Sequence, residues 1–168
     1  MKKEVLKFER DKTQELDDFF ESCRAKYFPK LIHADINYVF RTSQRKDDEG
    51  MLVIGEARRL SSKERDIYEY DFEICIYKEV WNKASRKRKE RIAWHELNHL
   101  VILYSKIDED EPRIDKAGRI LINLKPHDVV IKTFEEELIK FGPEEYQIDA
   151  VKSINKYLKQ KKRRIKRR

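Results

Sequence analysis

Long hydrophobic runs are missing from this chain. No stretch approaches the roughly 20 consecutive apolar residues that span a bilayer, so no membrane helix is expected. Cysteine is nearly absent: Cys23 and Cys75 are far apart in sequence, which argues against a disulfide scaffold and against a Cys-rich zinc ribbon. Glycine and proline number only 4 each, so loops should be few and short. A secretory leader is not expected either, because Met1-Lys2-Lys3-Glu4 leads into Phe8-Glu9-Arg10-Asp11 instead of an apolar run. Together these absences point to a soluble, cytoplasmic protein without membrane partners.

What is abundant is charge, at 42% of residues against 39% apolar. A chain so charged would tend to disorder if its apolar residues were scattered, but 8 Phe, 8 Tyr and 2 Trp favour a packed core. With 168 residues there is room for one domain and not for two ordinary ones. The net charge of +7 is unevenly placed: residues 151–168 hold ten basic side chains and no acid, leaving residues 1–150 at −3. We therefore expect a single domain over 1–150 and a basic tail, the end of a helix, over 151–168. Such a tail is either a solvated terminus or an attractor of DNA or RNA, since Lys and Arg clusters displace counterions from phosphates regardless of sequence. The nucleic-acid candidates are Lys161, Lys162, Arg163, Arg164, Lys166, Arg167 and Arg168.

Residues 13–27 have helical spacing, with Thr13 as a cap, Leu16, Phe19, Phe20 and Cys23 on one face, and Pro29 as a stop. Three strand-like segments follow. Ile36–Phe40 and Met51–Ile54 flank a charged turn, suggesting a hairpin, and Tyr70 to Tyr77 alternates cleanly. Leu60 to Asp66 reads as a polar loop. A long helix is expected from Ser85 to Tyr104, basic in its first half and apolar in its second. After an acidic loop, Gly118 opens an extended segment to Leu124, Pro126-His127-Asp128 starts another helix, and Gly142-Pro143 separates it from a last one. The layout is α+β: a small three-stranded sheet packed against one central helix and further helices.

Within the apolar half of the long helix lies His95-Glu96-Leu97-Asn98-His99. Residues four apart share a helix face, so both imidazoles can reach one Zn²⁺. Glu96 is turned roughly 100° away, placed to take a proton from a water without ligating the metal. An unpartnered His and Glu in an apolar helix would be costly to bury, which favours a metal site over a chance pattern. Catalytic zinc takes three protein ligands and keeps one position open. His127 is the favoured third ligand; Asp128, Glu135, Glu136 and Glu137 compete with it, while His33 reads as an exposed loop histidine. Asp128 suits a helix cap or an acceptor that orients an imidazole.

Trp81, the segment Ala93-Trp94-His95-Glu96-Leu97-Asn98-His99, and the run from Gly118-Arg119 to Pro126-His127-Asp128-Val129 resemble the phage-type metallopeptidases, relatives of the SprT-like zincins. The resemblance covers roughly residues 30–142. It implies a minimal zincin-like domain, Zn²⁺ held by His95, His99 and His127, and Glu96 as general base acting on a protein or peptide. Some SprT-like relatives are DNA-associated, which would give the basic tail a purpose. A non-catalytic nucleic-acid-binding module is the competing reading, but a purely structural His pair has no need of Glu96. A metal hydrolase acting on other amides or on nucleic acid is a third.

Overall fold

Apolar side chains alternate at residues 36–40 and 72–76, and these two segments become the centre of the sheet. The structure, a computed structural model, describes residues 7–48, 50–108, 110–127, 135–145, 147–148 and 151–152. Expectations for Asp128, for the side chain of Glu135 and for the tail residues Lys161, Lys162, Arg163, Arg164, Lys166, Arg167 and Arg168 fall outside the described residues. The chain divides into two compact units, Met1–Pro126 and His127–Arg168.

In the first unit, β1 (Phe8–Glu9), β2 (Ile36–Arg41), β3 (Gly55–Arg59) and β4 (Phe72–Tyr77) make one sheet in the order β1-β2-β4-β3. β2 and β4 run parallel, with Ile36 opposite Phe72, Tyr38 opposite Ile74 and Phe40 opposite Ile76. Both are buried along most of their length, as strands covered on two faces are. One face packs against α1 (Glu15–Tyr27), α3 (Lys78–Lys83) and α4 (Arg86–Asn98), which contribute Leu16, Phe20, Trp81, Ile92 and Leu97. The Phe20 ring stacks on Trp81 at 5.7 Å and tilts against Tyr38 at 5.0 Å. Leu16, Phe20, Phe72, Ile74, Ile76 and Leu97 are completely removed from solvent, each worth roughly 1.5–3 kcal/mol.

The α+β class is as expected, and the sheet gains a fourth strand, β1. Local details differ from the sequence reading. The segment 44–53 closes on itself through the Lys46–Leu52 bridge and a turn at Gly50, whose φ is +80°. β2 therefore has no hairpin partner there; β4 lies between β2 and β3, and the second strand begins at Gly55 instead of Met51. Residues read as a polar loop form α2 (Ser62–Tyr68), started by a capping box. Ser61 Oγ accepts from the Glu64 N–H at 3.3 Å, and Glu64 accepts from the Ser61 N–H at 2.8 Å. Thr13 is not the cap of α1; Asp11 accepts from the Leu16 N–H at 2.9 Å and from the Thr13 hydroxyl at 2.8 Å.

The long helix stops at Asn98. Beyond it, β5 (Leu100–Ile102) pairs antiparallel with β6 (Ile122–Leu124), because Val101 and Ile102 are β-branched and find a ladder there. In the second unit, α5 (Glu135–Phe141) ends at Gly142, whose φ of +75° and N–H bond to the Leu138 carbonyl form a left-handed cap. No helix among the described residues is long and apolar enough to cross a membrane.

Candidate metal centre

Ser85 starts α4 by accepting from the Arg88 N–H at 3.3 Å, and the apolar half of the helix is drawn under the sheet by Ile92, Ala93 and Leu97. That burial carries His95 and Glu96 into the last turn, with His99 as the cap residue. The two imidazoles are half-buried, with ring centroids 5.2 Å apart and planes at 76°. Glu96 is only 5% exposed.

The β5–β6 hairpin returns the chain to this helix end. Leu100 lies opposite Leu124 and Ile102 opposite Ile122, and the same register brings Lys125 opposite His99. The Lys125 N–H donates to the His99 carbonyl at 2.7 Å. The His99 Nδ1 is 2.7 Å from the Lys125 carbonyl, which can only accept, so Nδ1 is the donor and the lone pair of the neutral ring sits on Nε2. An imidazole fixed in this way is oriented for a metal. His127 follows Lys125 by two residues. One ligand atom from each of His95, His99 and His127 lies within 4.8 Å of the other two. Tetrahedral zinc with bonds of about 2.0–2.1 Å holds its nitrogens about 3.4 Å apart, a spacing inside that limit, so the donor set suits one ion.

Among the described residues the group contains no carboxylate and no thiol. Glu96 stands outside it, as do Glu136 and Glu137. His33 ends a 3₁₀ turn (Pro29–His33), is exposed, and lies edge-on to Tyr104 with centroids 6.1 Å apart. Burial pushes the Cys75 thiol up to about 11, against the pull of Arg41 and helped by the nearby charges of Glu73, Glu56 and Glu96. A thiol held neutral is a poor ligand.

Two participants were not found from the sequence. Lys125 acts through its backbone, which leaves no residue-type signal. Gly55 sits on β3 against the Glu96 carboxylate, and only the folded register shows the approach. No curated protein matches the chain, and no solved structure does. The family model described as "Putative phage metallopeptidase" matches residues 7–159, and with its histidine cluster in place the chain belongs to that metallopeptidase family.

Proposed function

We propose that this protein is a zinc-dependent peptidase, with His95, His99 and His127 holding Zn²⁺ and Glu96 as general base. The observation that carries the reading is the convergence of three imidazoles, the number of protein ligands that a catalytic zinc takes while keeping one position open. When bound, zinc would polarise the scissile carbonyl and acidify a water at that position. Glu96, one residue from His95 and outside the ligand group, would accept the proton and later deliver it to the leaving amine. The Lys125 carbonyl holds the His99 tautomer throughout. A structural zinc site is normally closed by four protein ligands, so a set of three favours catalysis.

The test measures zinc content and hydrolysis of an unfolded protein, such as denatured casein, by wild type and by Glu96→Ala. The variant should keep its zinc and lose about 10²–10⁴-fold in rate, the usual contribution of a general base. Loss of the metal would make Glu96 a ligand, and a zinc-loaded wild type that cleaves nothing would overturn the peptidase reading.

A further inference from the structure

We infer that Gly55 is a positioning residue that holds the slot occupied by the Glu96 carboxylate; this rests on the role proposed for Glu96 above. The chain has four glycines. Gly50, Gly118 and Gly142 have φ of +80°, +81° and +75° with open space around them, so their backbone conformation accounts for them. Gly55 is the opposite case. Its φ is not in the left-handed region, yet a Cβ there would lie 2.2 Å from Glu96 Oε1, 2.6 Å from Cδ and 2.9 Å from Cγ. Carbon atoms in contact normally keep about 3.5–4.0 Å, so no side chain fits while Glu96 stays where it is.

The strand register explains the approach. Gly55 pairs with Ile76 and Ala57 with Ile74, so both share the sheet face that Ile74 and Ile76 turn to the core cluster containing Ile92 and Leu97 of α4. Small residues at 55 and 57 let α4 lie close to β3, and the missing Cβ at 55 receives the buried carboxylate. A glycine inside a strand weakens it and marks a close approach. Here the approaching group is a side chain with a proposed proton-transfer role. Its carboxylate is walled on one side by backbone, which restricts the rotamers it can take.

A double-mutant cycle over Gly55→Ala and Glu96→Ala tests this, read by thermal melting of the metal-free protein and by kinetics of the zinc-loaded protein. Gly55→Ala should lower Tm in the wild-type background, where the methyl meets the carboxylate. In the Glu96→Ala background the same change should leave Tm unchanged or raise it, because alanine then fits an ordinary strand position. Gly55→Ala should also reduce kcat on the order of 10²-fold, with KM and zinc content unchanged, as a small displacement of a reacting group does. Equal Tm shifts in both backgrounds would overturn the inference, as would an active wild type matched in kcat by Gly55→Ala. If wild type cleaves nothing, the peptidase reading fails by itself, and the melting cycle still decides whether Gly55 and Glu96 are coupled.

Discussion

Single residues in this protein are set by what lies against them more than by their type. His99 and His33 are the same side chain, but only His99 has a carbonyl, from Lys125, fixing its Nδ1 proton. The His-Glu-x-x-His spacing was legible because four residues is nearly one helical turn. The convergence of His127 was legible only as a preference among several donors, because nothing in the sequence tells how the 27 intervening residues return. Cysteine shows the same dependence on surroundings. Cys23 and Cys75 are both buried and unbridged, and the Cys75 thiol is held up to about 11. Folded protein at pH 8 should therefore react very slowly with dithionitrobenzoate and release both thiols only in denaturant. Prompt labelling of either thiol in the folded chain would contradict this burial.

At the scale of elements, local patterns do not say which strands pair. Residues 36–40 and 51–54 look like a hairpin because a charged turn separates two apolar runs. In the fold, 44–53 makes its own small turn and β4 takes the place beside β2, where its apolar alternation is buried. The apolar pattern runs on past α4 through Val101 and Ile102, and only their ladder to β6 stops the helix. In contrast, α2 carried a readable signal in Ser61 and Glu64, the two halves of a capping box.

That box gives a pH dependence. The Glu64 carboxyl is held down to about 2, chiefly by the Arg58 guanidinium and then by the Ser61 N–H. Its folded value lies below the ordinary 4.5, so its stabilisation is complete above about 4.5 and is lost as pH falls toward 2. Glu64→Gln should thus flatten the loss of stability in that acid window, as measured by urea unfolding at several pH values. An unchanged acid slope in the variant would remove Glu64 from the account.

For the whole molecule, composition gave the class and the fold supplied the arrangement. Abundant aromatics promised a core, and Phe20, Trp81, Tyr38 and Phe72 form much of it. The α+β layout followed from several helical and strand periodicities, while the parallel pairing of β2 with β4 depends on a crossover that no local pattern records. The long return from α4 through β5 and β6 brings Lys125, two residues before His127 in the chain, to His99. The central claim is that His127 completes a zinc site begun by the helix. It is tested most directly by zinc bound per chain at low, buffered free zinc, in wild type and in His127→Ala, with His33→Ala as control. We expect one zinc per chain in wild type and in His33→Ala, and a loss of affinity of about 10-fold or more in His127→Ala, because two imidazoles hold the ion poorly. A His127→Ala protein that binds zinc as tightly as wild type would contradict the account.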